Sequence, residues 1–237
     1  MSSTHAHAAF EYVGAELPLF ALAINWKAYW RRQIAPYIKG DVLEVGAGLG
    51  VNTTLLSDLE YRSWTCLEPD ASLLSKIQLP SARHSAVAGA IGDLTAGRKF
   101  DSILYIDVLE HIEDDAAELL RARDRLRPGG WMVVLSPAHP FLYTPFDEAI
   151  GHYRRYTRQS LRQVAPPAGI TEQRMVYLDS AGLLASAGNR LLLSSSMPTR
   201  NQILFWDRVL VPVSRILDPM LGWNAGKTVV AIWERAE

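Results

Sequence analysis

Between residues 40 and 137, short apolar runs alternate with longer segments in which apolar residues recur at helical spacing. A parallel strand buried on both faces is a nearly continuous apolar run, and residues 100–106 (FDSILYI) are the clearest case. We predict strands at 41–45, 64–67, 85–90, 100–106 and 131–135, with helices at 51–59, 70–77 and 113–126 between them. This alternation is typical of β-α-β units around a parallel sheet.

The alternation ends after residue 137. Residues 138–157 mix Pro and Gly with aromatic and charged residues, which predicts a long loop of functional importance. We predict a short helix at 157–164, two last strands at 171–178 and 227–233, apolar helices at 180–193 and 201–217, and a helical N-terminal extension over 8–38. The segment 180–222 is therefore expected to be a helical insertion within one domain that spans residues 1–237.

Composition limits the classes of protein to which the chain can belong. Of 237 residues, 49% are apolar and 21% are charged, which is typical of a soluble globular domain. The net charge of −1 disfavours a broad electrostatic contact with nucleic acid. The single Cys66 excludes an intrachain disulfide framework. The first ten residues lack the pattern of a secretory signal, and the apolar windows are too short to span a bilayer, so we predict a cytoplasmic protein.

A glycine-rich turn follows the first predicted strand in the sequence LEVGAGLG (43–50). In open α/β sheets ligands bind outside the carboxyl ends of the strands, where glycines let the backbone approach them closely. The third glycine stands one position too early for the nicotinamide-dinucleotide fingerprint, and Glu44 would repel a pyrophosphate. A cationic sulfonium ligand with an amino-acid tail fits better. Glu68 ends the second predicted strand and could accept hydrogen bonds from the two hydroxyl groups of a ribose.

In its motifs the chain resembles the class I S-adenosylmethionine-dependent methyltransferases, in a bacterial branch similar to types 11 and 12. The segments that carry the resemblance are LEVGAGLG (43–50), LEPD (67–70), GD (92–93), FDSILYIDVLEHIEDD (100–115) and LRPGGWMVVLSP (126–137). The resemblance implies a Rossmann-like α/β fold: a seven-stranded, mostly parallel sheet with helices on both faces. It also implies S-adenosylmethionine (SAM) as cofactor, contacted by Glu44, Gly46, Ala47, Gly48, Gly50, Glu68, Pro69, Asp93, Leu94 and Asp107.

Acidic and imidazole groups recur just after the fourth predicted strand. Asp107, Glu110, His111 and Asp114 offer a ligand set for a hard divalent cation. The segment resembles the acid-x-x-Glu-His motif of ubiquinone-pathway O-methyltransferases and RNA-terminal 2′-O-methyltransferases, which hold a metal. Leu-Glu-His is also common at this place in class I enzymes without one. We therefore predict no resident metal and keep these four residues as the alternative.

The segment 138–157 is the predicted substrate side of the site. Its adjacent arginines could make forked contacts with a phosphate or carboxylate, and the predicted substrate-binding residues are Tyr143, Tyr153, Arg154, Arg155 and Tyr156. In the alternative, the arginines pair internally with Asp147 or Glu148. A hydroxyl acceptor needs a general base, for which His139 is the first candidate, followed by His111 and His152.

Residues 201–217 form an amphipathic pattern. On a regular helix, Arg200, Asp207, Arg208, Arg215 and Asp218 share one charged stripe, and the rest of the surface is apolar. We expect that apolar surface to pack on the rest of the insertion and on the N-terminal extension. The alternatives are a peripheral membrane element serving an isoprenoid or lipid-linked acceptor, with Trp26, Trp30, Trp206 and Trp223 as interfacial anchors, and a dimer interface.

We predict a methyltransferase that uses SAM and acts on a small or lipid-linked acceptor, at oxygen rather than at nitrogen or carbon. The alternatives are a non-catalytic SAM-binding module, a metal-assisted O-methyltransferase of the ubiquinone-pathway type and a nicotinamide dehydrogenase. We expect no nucleic-acid partner, and either a monomer or a homodimer.

Overall fold

The computed structural model describes residues 20–192 and 199–236, with side chains described up to residue 188 in the first range. Within these residues the strands are β1 (Asp41–Val45), β2 (Ser63–Glu68), β3 (His84–Ala88), β4 (Phe100–Ile106), β5 (Leu126–Pro137), β6 (Ile170–Leu178) and β7 (Thr228–Arg235). They form one seven-stranded sheet in the order β3-β2-β1-β4-β5-β7-β6. β7 is antiparallel to both of its neighbours, and the other pairs are parallel. The predicted fold class is confirmed.

Helices lie before, between and after the strands. They are α1 (Ile24–Ile34), α2 (Val51–Leu55), α3 (Ala71–Leu74), α4 (Asp115–Arg125), α5 (Pro145–Ala149), α6 (Arg158–Val164), α7 (Ser180–Leu192), α8 (Arg200–Phe205) and α9 (Val211–Met220). A π-helical turn, Trp206–Leu210, joins α8 to α9, and short 3₁₀ turns occur at Ala35–Tyr37, Ile91–Asp93, Leu109–His111 and Pro140–Leu142. The helical insertion between the last two strands is confirmed, as is the N-terminal helix from residue 24 onward. The part of the predicted extension at 8–19 lies outside the described residues.

Local sequence signals placed several boundaries correctly. β1 and β4 have the predicted bounds. Asp70 caps α3 by accepting hydrogen bonds from the backbone of Ser72 and Leu73, and Thr157 caps α6. The prediction for β5 was too short, because Leu126 already pairs with Phe100 before the register shifts.

The prediction that residues 138–157 form one long loop was wrong in part. Helix α5 begins inside it because Thr144 and Asp147 make a capping box and Pro145 occupies the first helical position. Asp147 is fully buried, and no local signal in the sequence indicates that this carboxylate belongs to the interior.

The prediction that the charged residues of the inserted helices share one stripe was wrong. Asp207 and Asp218 are buried, whereas Arg200 and Arg208 are exposed. The regular 100° spacing fails because the π-helical turn inserts an extra residue and shifts the phase of α9 relative to α8. The charged residues therefore divide into inward-facing acids and outward-facing arginines.

Both inward-facing acids cap other helices. Asp207 accepts hydrogen bonds from the backbone nitrogens of Asn25 (3.2 Å) and Trp26 (2.8 Å) at the start of α1, whose own N-cap residue, Ala23, has no side-chain acceptor. Asp218 accepts from the backbone nitrogen of Ser180, at 3.0 Å, where α7 begins. A carboxylate at a helix N-terminus satisfies free amides and complements the helix dipole. The insertion therefore fixes α1 over the sheet.

This packing also buries most of the predicted membrane anchors. Trp26, Trp30 and Trp206 are each at most 8% exposed and belong to the hydrophobic core between the sheet and the helices. Their assignment as interfacial anchors was wrong, because the helix surface that carries them faces inward. Among the described residues no helix is both long and apolar enough to cross a membrane.

Candidate active site

The glycine-rich turn leaves the carboxyl end of β1 in a conformation that favours glycine. Gly46 and Gly48 have φ angles of +65° and +55°, in the left-handed region. A Cβ atom on Gly46 would lie 2.7 Å from the Val108 side chain, so this position has no room for one. A Cβ atom on Gly48 would meet no atom within 4 Å, because this residue borders an open cavity. The turn thus exposes backbone to a ligand.

Glu68 lies across from this turn at the end of β2. Its Oε2 atom accepts a hydrogen bond from the backbone nitrogen of Gly48 at 2.8 Å, and its Oε1 atom accepts one from the backbone nitrogen of Asp70 at 2.9 Å. Burial raises the pKa of Glu68, and the two backbone hydrogen bonds oppose the shift. Each carboxylate oxygen has a second lone pair, so the group can still accept hydrogen bonds from a bound ribose.

The cavity has a volume of about 340 Å³. The segments after β1, β2 and β3 line it with the glycine-rich turn, Glu68, Pro69, Gly89 and Ala90, which we call the cofactor end. The segment after β4 and the chain up to α1 line it with Asp107, His111, Phe20, Ala21 and Lys27, which we call the acceptor end. Sites for small molecules are concave and apolar with a few placed polar groups, and this cavity matches that description. Its two ends suit a cofactor and an acceptor.

Lys27 was not singled out from the sequence. It lies on α1 and reaches the cavity because the insertion holds that helix in place. Burial lowers the pKa of its amino group, and the charges of Asp207 and Asp107 oppose the shift. One signal was available, since Lys27 is the only charged residue between positions 17 and 30.

Asp107 stands where β4 ends, with a φ angle of +54° and its backbone nitrogen bonded to the carbonyl of Leu135. Loss of hydration raises the pKa of its carboxyl, and the positive charges of His152, Lys227 and Lys27 oppose this shift. The strand end therefore presents to the cavity an acid that holds its proton more tightly than usual.

Behind His111 lies a group of buried polar side chains. The Asp147 carboxylate accepts a hydrogen bond from His152 Nδ1 at 2.9 Å, and the rings of His152 and His111 meet edge to face with centroids 4.5 Å apart. His152 Nε2 lies 3.9 Å from Glu110 Oε1. These groups come from two distant parts of the sequence, the 3₁₀ turn after β4 and the segment around α5.

The charges of this cluster follow from its burial. Burial and the neighbouring His152 lower the pKa of His111 to about 4, so its imidazole is neutral near pH 7. Burial raises the pKa of Glu110 well above its usual range, and the charge of Asp107 adds to the shift. Burial also opposes ionisation of Asp147, but hydrogen bonds from His152 and Arg155 outweigh it and hold the pKa of that carboxyl well below its usual range.

Glu110, His111 and His152 form a group that could hold a metal ion, with their ligand atoms within 4.8 Å of one another. Glu110 Oε2 accepts a hydrogen bond from Ser136, whereas its buried Oε1 atom has no hydrogen-bond partner among the described residues. Asp114, a member of the predicted set, instead caps α4 by accepting from the backbone of Ala117. In the structure, His152 therefore replaces Asp114 in the group of candidate metal ligands.

The first candidate for the general base, His139, lies apart from the residues that line the cavity. Its Nε2 atom donates a hydrogen bond to the carbonyl of Gly226 at 2.9 Å, and its ring packs on that of Tyr177. Its backbone φ of +66° fixes the chain at the end of β5. Of the three histidines predicted, His111 lines the cavity and His152 lies directly behind it.

All five residues predicted to bind substrate make internal contacts, and Tyr153 makes its own with Arg154, whose guanidinium lies 5.8 Å from the centre of its ring. Arg155 pairs with Asp147 at 2.8 Å and Arg154 with Asp115 at 2.6 Å. The hydroxyl of the buried Tyr156 also donates to Asp115. Tyr143 donates to the carbonyl of His152, whereas Tyr153 is half exposed. The alternative of an internal pair with Asp147 is confirmed for Arg155, and the partner of Arg154 is a different acid.

The remaining predicted cofactor residues fall into two groups. Pro69 and Ala47 line the cavity. Glu44 lies buried behind the turn, where it accepts hydrogen bonds from Thr53 and Trp64, and burial raises its pKa to about 7. Asp93 accepts from the backbone nitrogen of Ala90 and so shapes the cavity wall from behind, and Leu94 is buried next to it. Gly50, with a φ of +74°, precedes α2.

A family model described as a methyltransferase domain matches residues 9–171, more than half of the chain. The chain belongs to this methyltransferase family. Within it the protein is a SAM-dependent methyltransferase of class I, and its cofactor is SAM. The sequence resemblance and the predicted cofactor are thereby confirmed.

Two curated relatives match part of the chain. The ubiquinone biosynthesis O-methyltransferase of Dinoroseobacter shibae is 32% identical over 102 residues, which cover 39% of this chain and 39% of the relative. The tRNA U34 carboxymethyltransferase of Methylococcus capsulatus is 31% identical over 116 residues, which cover 44% of this chain and 35% of the relative. The methyltransferase thus matches well under half of the length of either relative.

Solved structures share the fold at low identity. One is a complex between the Haloferax volcanii Trm112 methyltransferase activator and a methyltransferase, with a TM-score of 0.61 and 14% identity over 95% of this chain and 98% of that one. Another is the Haemonchus contortus phosphoethanolamine N-methyltransferase 2 in complex with SAM, with a TM-score of 0.63 and 14% identity over 94% of this chain and 58% of that one. At these identities the likeness concerns the fold alone.

Proposed function

We propose that this methyltransferase transfers the methyl group of SAM to a hydroxyl oxygen of a small or lipid-linked acceptor, with His111 as general base. The observation that carries the proposal is the series Asp147–His152–His111, which leads from a buried carboxylate to the acceptor end of the cavity. An oxygen acceptor must lose a proton, whereas a carboxylate acceptor would need no such group.

At the other end of the cavity the chain binds and orients the cofactor. Glu68 would accept hydrogen bonds from the ribose, the turn from Gly46 to Gly48 would hold the methionine part, and the wall shaped by Asp93 would hold the adenine. When bound, SAM supplies an electrophilic methyl group on a sulfonium. The protein contributes alignment and the exclusion of water, which raise the effective concentration of the acceptor.

In the transfer, the O–H bond of the acceptor breaks, an O–CH₃ bond forms and the S–CH₃ bond breaks. The proton goes to His111, whose imidazole is neutral at neutral pH because its pKa is lowered. Asp147 fixes the His152 ring through Nδ1, and that ring packs against His111 and holds its orientation. Lys27 adds positive charge at this end and favours an acceptor that carries a negative group.

The test is a methyl-transfer assay with isotopically labelled SAM and matched panels of hydroxyl, amine and carboxylic acid acceptors, with transfer RNA as a further acceptor. We expect product with hydroxyl compounds and a loss of about 10²- to 10⁴-fold in kcat for His111→Gln. Equal kcat for the variant, or product with amines alone, would contradict the proposal. SAM binding without product in any panel would indicate a binding module instead.

The cluster of Glu110, His111 and His152 favours a second candidate, metal-assisted O-methylation. Its donor set fits a divalent cation: the Glu110 Oε1 atom is unpartnered among the described residues, a ligand atom of each histidine lies within 4.8 Å of the Glu110 carboxylate, and Asp147 orients His152 as carboxylates often orient metal-binding histidines. A bound ion would polarise the acceptor oxygen. The partial match to a ubiquinone-pathway O-methyltransferase supports this candidate.

Calorimetric titration of the metal-free protein with Mg²⁺, Mn²⁺ and Zn²⁺ separates the two candidates. Metal assistance predicts saturable binding that Glu110→Gln weakens, together with activity that a chelator removes and the ion restores. If His111 acts without a metal, the protein should keep full activity in the presence of a chelator, and titration with the metal ions should give no heat of binding.

A further inference from the structure

Between residues 205 and 221, six large apolar side chains are exposed, with exposed fractions between 42% and 77%. The first five recur every three or four residues through α8, the π-helical turn and α9, which is the spacing of one helix face, and the sixth directly follows α9. We call them the outer stripe; its members are Phe205, Val209, Val213, Ile216, Met220 and Leu221. Exposed apolar patches of this extent on soluble proteins usually mark an interaction site.

The helical segments around the outer stripe carry mostly positive charge. Helices α1 and α7 and residues 200–220 together contain seven basic residues and two acids, a net charge of +5 in a chain whose net charge is −1. The two acids are Asp207 and Asp218, both buried as helix caps. Lys27 lines the active-site cavity and Arg31 pairs with Asp58, whereas Arg32, Arg200 and Arg208 are exposed and these three segments have no exposed acid of their own.

A cleft of about 470 Å³ lies beside the stripe, between α1 and α9. Arg32 and Arg215 line it together with Ile216 and Trp223. Among the residues that the structure describes, neither arginine makes an ion pair. A guanidinium group presents a planar fork of donors that matches a phosphate, so the cleft combines apolar walls with two available phosphate ligands.

We propose that this surface docks the methyltransferase on a bilayer that contains anionic phospholipids. The outer stripe enters the boundary between headgroups and acyl chains, and Arg32 and Arg215 contact lipid phosphates. Basic residues around an apolar helix face are the features of peripheral binding to anionic membranes. A second copy of the chain is the poorer occupant, because a two-fold interface would bring the same basic segments together, and α1, α7 and residues 200–220 have no exposed acid to pair with them.

The experiment is sedimentation of the full chain with vesicles of phosphatidylcholine alone and of phosphatidylcholine with phosphatidylglycerol. We expect binding to the anionic vesicles that high salt weakens, and little binding to the neutral ones. Met220→Glu should weaken binding about tenfold or more, whereas Leu120→Glu on α4 should not, although it adds the same charge to another exposed apolar site. Neutralising Arg32 and Arg215 together to Gln should weaken binding about tenfold or more, and neutralising Arg121 and Arg162 should not.

Thermal unfolding of each variant confirms that it is folded, and the assay requires neither SAM nor an acceptor. Failure of the proposed methyl transfer would therefore leave this result unaffected. No sedimentation with anionic vesicles would overturn the proposal, as would binding that Met220→Glu and Leu120→Glu change equally. A dimer in light scattering that Met220→Glu dissociates, without vesicle binding, would overturn it in favour of a second copy.

Discussion

Glu68 Oε2 and the backbone nitrogen of Gly48 are 2.8 Å apart, so the carboxylate that we propose as the ribose ligand also holds the glycine-rich turn. The other oxygen of Glu68 is tied to the backbone of Asp70. The cofactor-binding group is thus fixed before the cofactor arrives, and less conformational freedom is lost on binding.

Replacing Glu68 should therefore affect both binding and stability. Glu68→Ala removes the acceptors for the ribose and for Gly48, each charged hydrogen bond being worth about 1.5–3 kcal/mol. We expect SAM affinity to fall at least tenfold in calorimetry and the melting temperature to fall as well. Glu60→Ala, at an exposed acid, is the matched control. Unchanged SAM affinity in Glu68→Ala would remove this residue from the cofactor site.

The two histidines at the ends of β4 and β5 should differ in their effect on turnover. His139→Gln should keep most of the wild-type kcat because the His139 ring lies apart from the cavity lining and is bonded to Gly226. His111→Gln should lose about 10²- to 10⁴-fold. Steady-state kinetics with one hydroxyl acceptor makes the comparison, and the reverse order of the two effects would restore His139 as the base.

The decrease of kcat/KM on the acidic side of the pH profile should occur at an unusually low pH. A base must be unprotonated, and the pKa of His111 is lowered from 6.5 to about 4. We expect kcat/KM to remain high below pH 6 and to fall only toward pH 4, on acid-stable substrates. A limb centred near pH 6.5 would indicate a base in a more solvated environment.

The same shift has a consequence for stability. The unfolded chain takes up a proton at His111 below about pH 6.5, whereas the folded protein does so only near pH 4. Lowering the pH between these values therefore favours unfolding. Denaturation curves of wild type and His111→Gln should diverge in this window, with the variant losing less stability as the pH falls.

The pair of Arg155 and Asp147 should prove structural. Asp147 is fully buried, so Arg155→Ala leaves a buried charge with less compensation and should cost about 3–5 kcal/mol of unfolding free energy. Arg154→Ala should cost about 1 kcal/mol or less, because Arg154 is one-third exposed. Urea denaturation measures both. A stable Arg155→Ala with a raised acceptor KM would instead support the sequence hypothesis of substrate contact.

Removing the cap from α1 should loosen the acceptor end of the cavity. Asp207→Ala deletes hydrogen bonds to Asn25 and Trp26 and should cost about 1–2 kcal/mol. Hydrogen exchange in the first turn of α1 should accelerate. Asp58→Ala, which removes only the surface ion pair with Arg31, is the control and should leave this exchange unchanged.

The sequence predicted those features that depend on local signals. Buried strands, the glycine-rich turn and the caps at Asp70 and Thr157 each follow from a few adjacent residues, and all were found. The helical wheel over 201–217 failed because a single π-helical turn changes the phase of every later residue, and single-sequence periodicity does not reveal such a turn.

Features that depend on long-range packing were missed or misassigned. Lys27 reaches the cavity only because Asp207 holds α1. His152 and Glu110 meet across more than forty positions of the chain, so their partnership has no local signature. Arg154 and Arg155 were predicted to bind substrate. Their partners Asp115 and Asp147 are buried acids, and the sequence did not indicate that burial.

The bond between Asp207 and the start of α1 joins residues 181 and 182 positions apart. On a ribosome, the segment that closes the acceptor end is made early, but its cap emerges only after most of the chain has been synthesised. In a nascent chain arrested before residue 207, the cofactor end of the cavity, with the glycine-rich turn, should therefore form. The acceptor end should stay open. Substrate selectivity in this methyltransferase is thus expected to be among the last properties acquired during folding.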